Sequence, residues 1–371
     1  VPATITASAV RTCFGDGPAT WAALLRGDCG VAPLERATAE QVGVGSGYPI
    51  ADGGPFRPSR WLADCVREAL AAAGVDPRRQ RVVSLVGTGL RESAEVERAA
   101  LAGVVDFPAE RLHFGGAVAA AAPGVERVVT LANACSAGGH ALALAQDLVE
   151  TGDADAVLVG GTDGSTASML AMIGRVASRP TERVRPFDAD RAGVLLGDGA
   201  AVLVVERERG DGGLARLLAT GLSCDAGHET APDPEGILRA VRDAHERAGR
   251  RPDQIDLVLA HGTGTALNDA TEAHVLAEVF AGCAPGPLVT AVKGAVGHTS
   301  GGSALLSVAV AVEALRTGQV PPIAGLARPA PEAAGLRLVR GEAVRADPRV
   351  AQVDAFGFGG LNAVTLLEAV R

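Results

Sequence analysis

The chain has 371 residues, of which 47% are hydrophobic and 21% charged, and 34 basic against 43 acidic side chains leave a net charge of −9. This composition excludes a disordered chain, and the acidic balance without any Lys/Arg block argues against nucleic acid as a partner. No stretch reaches the ~20 apolar residues of a membrane helix, and the opening VPATITASAV lacks the form of a secretory signal, so a cytoplasmic protein without a membrane partner is expected.

The first strong pattern is Val66–Gly89, VREALAAAGVDPRRQRVVSLVGTG, which predicts an amphipathic helix, a Gly/Pro turn and an apolar strand. Next comes ERVVTLANACSAGGHALALAQDLVETG, a strand, a tight turn and an apolar helix beginning near Ser136. Both units recur. Val241–Gly264, VRDAHERAGRRPDQIDLVLAHGTG, aligns without a gap on the first unit at an offset of 175 residues, with ten identities that include Gly74/Gly249, Pro77/Pro252 and the Gly-Thr-Gly. PLVTAVKGAVGHTSGGSALLSVAVAVEALRTG repeats the plan of the second, with GGSAL answering GGHAL.

The chain is therefore read as a duplication, with an N-terminal half over 1–207 and a C-terminal half over 208–371. Apolar strands alternating with helices predict an α/β protein with parallel sheets covered by helices and a site between the halves. The helix at 303–315 is apolar nearly all round and is expected to lie between the two sheets.

Six scattered cysteines with no C-x-x-C pair fit reduced thiols. Cys135 stands between a strand and a helix, where unpaired N–H groups and the helix dipole favour a thiolate; a packed structural cysteine is the alternative. His261 falls where the first half has Val86, and His298 lies near the position that answers Cys135. Lys293, five residues earlier, is the one lysine in the chain. These four side chains are expected at one end of the sheets. One cysteine and two distant histidines lack the local ligand spacing of a zinc site, and HGTGT and VGTGL are not nucleotide-binding fingerprints. FGFGGLNA (356–363) reads either as a plain turn or as a loop whose N–H groups approach a reacting oxygen.

Five segments in order resemble the β-ketoacyl synthases, condensing enzymes of the thiolase fold. They are NACSAGGHA (133–141, with His140 five residues after the cysteine), RPFDADRAGVLLGDGA (185–200), AHGTGTALNDATEA (260–273), KGAVGH (293–298) and FGFGGLNA. The resemblance implies a thiolase-like α/β fold whose duplicated halves stack as five αβαβα layers. It implies that Cys135 takes an acyl chain from a carrier thioester, while His261 and His298 polarise a malonyl thioester as carbon dioxide leaves. It implies an oxyanion hole from the backbone N–H groups of Cys135 and Phe358, and a substrate gate at Phe358, Gly359, Gly360 and Leu361. Lys293 would hold the second histidine, with Thr263, Thr265, Asp269 and Glu272 in support. The substrates would ride on the phosphopantetheine of an acyl carrier protein, with no metal and no other cofactor.

The resemblance further implies a homodimer, or a heterodimer with a related ketosynthase-like subunit, in fatty-acid or type II polyketide synthesis. A non-condensing acyltransferase or thioester hydrolase using the same cysteine is the alternative, as is a place in a ketosynthase/chain-length-factor pair. Where the family usually has Thr, this chain has Asn133 and Leu361, and Asp198 stands for Glu. GHTSGGSA is less Ala-rich than usual, and the segment from Gly89 to Cys135 is short.

Overall fold

The computed structural model describes residues 2–176, 179–208 and 212–370. Eleven strands form its main sheet: β1 (Ala3–Arg11), β2 (Val82–Gly87), β3 (Arg127–Leu131), β4 (Ala156–Asp163), β5 (Gly199–Arg207), β6 (Ala215–Cys224), β7 (Leu257–Leu259), β8 (Leu288–Thr290), β9 (Arg337–Leu338), β10 (Val350–Gly357) and β11 (Leu361–Ala369). The spatial order is β9-β8-β7-β10-β11-β6-β1-β5-β4-β2-β3. Read outward from the β1/β6 junction, the two halves are copies, β1-β5-β4-β2-β3 on one side and β6-β11-β10-β7-β8 on the other. They join through a short antiparallel ladder of Ala3–Ile5 with Ala215–Leu217.

Strand direction differs from the sequence expectation. Three outer strands of the N-terminal half and four of the C-terminal half run parallel, while the two nearest the junction in each are antiparallel. The apolar runs reported burial on both faces, and β5 is buried along most of its length although antiparallel to both neighbours. Apolarity of a strand registers what covers it, not which way its partner runs.

Five helices complete the layers: α1 (Arg57–Ala73), α2 (Ala137–Thr151), α3 (Pro234–Ala248), α4 (Ala266–Val279) and α5 (Ser303–Thr317). The repeated helices α1 and α3 cover the outer faces, α1 on β1, β4 and β5, and α3 on β6 and β11. Both carry Pro in the first turn and stop at a left-handed glycine, Gly74 (φ 66°) and Gly249 (φ 61°), which no side chain hinders. Helices α2 and α5 pack against each other and against strands of both halves, so the order is helix, sheet, helix pair, sheet, helix. Twelve of the fifteen α5 residues are buried, as its all-round apolar sequence requires. The pair brings the starts of α2 and α5, and the loops before them, to one end of the sheets.

Candidate active site

Cys135 sits in a single tight turn, Ala134–Ser136, between β3 and α2. Ala134 takes φ 51°, a left-handed conformation uncommon for a residue with a side chain, and this kink brings the chain from strand to helix. The backbone N–H groups of Phe358 and of Cys135 itself both reach the sulfur. Phe358 belongs to the loop joining β10 to β11, which packs tightly on the nucleophile turn. A Cβ on Gly357 would stand 3.0 Å from Ser136 Oγ.

Desolvation works against the helix-end pull on Cys135, whose side chain is half-buried. Burial pushes the Cys135 thiol up to about 11, against the pull of the Lys293 charge and the two backbone N–H groups. His140, one turn into α2, bonds by Nδ1 to the Ser136 carbonyl at 3.0 Å and so braces the turn.

His261 follows β7 at its C-terminal end and is 3% exposed. His298, 7% exposed, meets it ring edge to ring face, with centroids 5.4 Å apart and planes at 83°. Lys293 is fully buried beside them. It holds the first histidine and not, as the resemblance implied, the second: its Nζ lies 3.3 Å from His261 Nδ1 and donates to the His261 carbonyl, whereas His298 Nδ1 has no partner. An ammonium has no lone pair to offer, so Nδ1 of His261 must accept and the ring proton must sit on Nε2. Burial, together with the Lys293 charge, holds both imidazoles well below the usual histidine range, so both are neutral. His298 Nδ1 is buried without a hydrogen-bond partner, which leaves the ring's tautomer to whatever enters.

Carboxylates hang the two Gly-Thr-Gly loops. Glu272 on α4 accepts from the N–H of His261 (2.6 Å) and Gly262 (2.8 Å), and Asn268 Nδ2 lies 3.3 Å away. Asp269 accepts from Phe187 N (2.7 Å), from Gly264 N (3.1 Å) and from Asn268. Thr263 and Thr265 share a hydroxyl hydrogen bond of 2.9 Å, and Thr265 caps α4 by accepting from Asn268 N. In the first half the same office falls to Asp163, at the end of β4. It accepts from Thr88 Oγ1 (2.6 Å), Gly89 N (2.7 Å), Leu90 N (2.9 Å) and, from the other half, Gly301 N (2.7 Å).

The loop Phe358–Gly360 closes the site on its open side. Phe358 is 43% exposed, and Gly359 and Gly360 take φ of 81° and 73°, a pair of left-handed residues that only glycine adopts without strain. Leu361 opens β11 opposite Cys224 and is half-buried. Among the residues read from sequence, Cys135, His261, Lys293, His298 and Phe358 thus gather at one end, with Thr263, Thr265, Asp269 and Glu272 behind. Asp198 does not join them: it is buried against Arg57 (2.7 Å) and the N–H groups of Ile50 and Ser165.

Sequence reasoning missed Asp163, Asn268 and Asp354. Asp163 and Asp354 were visible in one respect, because each is a carboxylate within an otherwise apolar strand, where an ionisable group needs a reason.

Comparison with known proteins agrees with this architecture. The sequence profile of the beta-ketoacyl synthase N-terminal domain matches residues 57–210, and that of the C-terminal domain matches 214–327. A 3-oxoacyl-[acyl-carrier-protein] synthase 2 of Coxiella burnetii is 28% identical over 94% of both chains. One from Mycobacterium tuberculosis is 36% identical over 66% of this chain and 63% of its own. The solved ishigamide ketosynthase/chain length factor superposes with a TM-score of 0.89 at 30% identity, covering 99% of each chain. A type II polyketide ketosynthase in complex with its acyl-carrier protein (AntDE:AntF) shares the fold, with a TM-score of 0.89 at 22% identity.

The chain belongs to the β-ketoacyl synthases. It is a condensing enzyme, an acyltransferase that forms a carbon–carbon bond.

Proposed function

We propose that this enzyme extends an acyl chain held on Cys135 with a malonyl unit delivered by an acyl carrier protein. The observation that carries the reading is the convergence of Cys135, His261, His298 and Lys293, with two backbone N–H groups aimed at the sulfur. In the first step the Cys135 sulfur attacks the carrier thioester, the carrier's C–S bond breaks, and the thiol proton leaves with the carrier sulfur. The N–H groups of Cys135 and Phe358 stabilise the tetrahedral oxyanion. Malonyl thioester then enters. His261, with its proton on Nε2, and His298 donate to the thioester carbonyl while the bond to the carboxylate breaks and carbon dioxide leaves.

The electron pair left behind forms an enolate. Its carbon attacks the acyl carbonyl on Cys135, the C–S bond breaks, and the departing sulfur takes a proton from solvent. Neutral histidines suit the work, because a carbonyl is polarised by an N–H donor without prior loss of charge. Lys293 holds His261 in the donating tautomer. No cofactor takes part beyond the phosphopantetheine arm that carries the substrates.

The carrier protein is inferred from relatives named as acyl-carrier-protein synthases, and the pathway is either fatty-acid or type II polyketide synthesis. A pairing with a second ketosynthase-like subunit, identical or related, is supported by β3. That strand lies at the sheet's edge with its outer side unpaired, an aggregation hazard unless another chain covers it. The short segment before it also exposes Leu101, Val104 and Val105. Incubation with acyl- and malonyl-loaded carrier proteins, read by intact mass, tests the reading. An elongated chain supports it, whereas free acid or bare transfer without elongation points to hydrolase or acyltransferase action, and no change to a non-catalytic subunit.

A further inference from the structure

The loop that carries Lys293 and His298 is framed from behind by a residue outside the five family segments. Tyr48, the chain's one tyrosine, follows the two-residue strand Ser46–Gly47 of the N-terminal half and is 1% exposed. It belongs to a buried apolar cluster with Val42, Val44, Val184, Leu195 and Leu196. Filling that space needs no hydroxyl, and a buried phenol has to find partners for its oxygen.

It finds them on the loop of the second histidine. Lys293–Val296 is a single helical turn that closes on itself by one bond, from the Gly297 N–H to the Lys293 carbonyl. The carbonyls of Gly294 and Ala295 are left over, as at any helix end. The N-terminal half takes both: Tyr48 Oη donates to Gly294 O at 3.3 Å, and the Gly30 N–H donates to Ala295 O at 2.8 Å. Tyr48 Oη in turn accepts from the Val184 N–H at 3.0 Å, and the half-buried Cys29 places its sulfur 3.7 Å from the same oxygen.

The ring backs the next stretch of chain. After Val296 the backbone turns through Gly297 (φ 73°) into His298, and a Cβ on Gly297 would stand 2.6 Å from Tyr48 Cδ2. Main-chain bonds complete the frame. The Tyr48 N–H donates to Leu196 O and the Asp198 N–H to Tyr48 O, each at 3.0 Å. The His298 N–H donates to Leu195 O at 2.9 Å, and the Gly197 N–H to His298 O at 3.0 Å. Residues 195–198 thus form a rung between Tyr48 and His298. The turn of Cys135 is braced by a different group, His140.

We propose that Tyr48 is a positioning residue for the condensation and not for acylation. Its hydroxyl fixes the carbonyl next to Lys293, and with it the reach of the lysine to His261; its ring holds the turn that delivers His298. Tyr48 touches no reacting atom. The inference rests on the roles given above to Lys293 and His298.

Tyr48→Phe keeps the ring and removes the hydroxyl. Acylation of Cys135 and elongation at saturating malonyl carrier are measured separately. Acylation should stay within about twofold of the wild type while elongation falls about tenfold, well inside what a small misplacement of a reacting group costs. The loss should not multiply with that of Lys293→Ala, through which the hydroxyl acts: the double variant elongates within about threefold of Lys293→Ala alone. Equal losses in both half-reactions, an unchanged elongation rate, or losses that multiply overturn the proposal. Should Tyr48→Phe fail to fold, 3-fluorotyrosine incorporated at this one tyrosine decides. Its fluorine resonance must move in Lys293→Ala and in His298→Ala, and a resonance indifferent to both overturns the proposal equally. Lys293→Ala and His298→Ala assayed alone separate the two layers. If both elongate normally, the reading of the site has failed; if both are impaired and Tyr48→Phe is not, only the role of Tyr48 has.

Discussion

Gly301, at the start of the C-terminal half's buried helix, donates its backbone N–H to Asp163 of the N-terminal half at 2.7 Å. This one bond sets the loop that carries His298 against the loop that follows β2. There is no space for a side chain there, because a Cβ on Gly301 would stand 2.3 Å from Thr88 Cα. Gly301→Ala should cost about 1–3 kcal/mol through backbone displacement. Asp163→Ala strands three backbone N–H groups, at roughly 1–3 kcal/mol each. Calorimetry should show both variants melting below the wild type, Asp163→Ala the lower. A wild-type melting temperature in Gly301→Ala would show that the joint yields.

Cys135 is expected to be the acylation site. Intact mass after exposure to an acyl donor should show one adduct, absent in Cys135→Ala. An adduct on another cysteine, with turnover retained in Cys135→Ala, refutes this.

The Cys135 thiol makes a pH prediction with a definite sign. Its value is raised to about 11 because burial disfavours the thiolate, so alkylation by iodoacetamide should still be accelerating above pH 9, where an ordinary thiol levels off. The Lys293 charge lowers that value. Lys293→Ala should therefore move the alkylation profile to higher pH and slow labelling at pH 8. A plateau by pH 9 would mean that the thiolate is better stabilised than its surroundings allow.

Lys293→Ala and His298→Ala should separate the two half-reactions. Both should still be acylated to completion, Lys293→Ala more slowly, since the acyl oxyanion is held by the backbone of Cys135 and Phe358. Malonyl-dependent elongation should fall by on the order of a hundredfold, about 2.7 kcal/mol of barrier. Losses within about twofold would take both residues out of the condensation.

The unpaired edge of β3 predicts a pair of subunits. Light scattering at micromolar concentration should give twice the mass of the chain, or a complex with a related subunit when one is supplied, with well over ~1,000 Å² buried. A fully active monomer would leave the exposed Leu101 and Val105 without a role.

Much of this was legible in the sequence because duplication shows twice. The ungapped match of Val66–Gly89 with Val241–Gly264 marked α1–β2 and α3–β7 together, and both helices stop at the glycines the pattern named. His261 stood out since an imidazole had replaced Val86 at a strand end. Strand direction was hidden, because β5 and β11 are covered on both faces and read as apolar as a parallel strand would. The surroundings of Cys135 were hidden too: a helix start can be read locally, whereas Lys293 and Phe358, which act on the thiol, come from the other half of the chain. Asp163 and Asp354 escaped for a related reason. Each is one acid in an apolar strand; the partner of Asp163 lies on a distant segment, at Gly301, and that of Asp354 is Gln352, itself bonded to His245 on α3.

Lys293 is the chain's one lysine, and it is fully enclosed among the groups that would do the chemistry. Growth on lysine labelled with nitrogen-15 at the side-chain nitrogen would therefore yield a protein with a single Nζ resonance. Its shift would report the charge at the centre of the site with no background to subtract. Arginine elsewhere keeps the outer face silent to such a probe, so each stage of turnover could be followed from one atom.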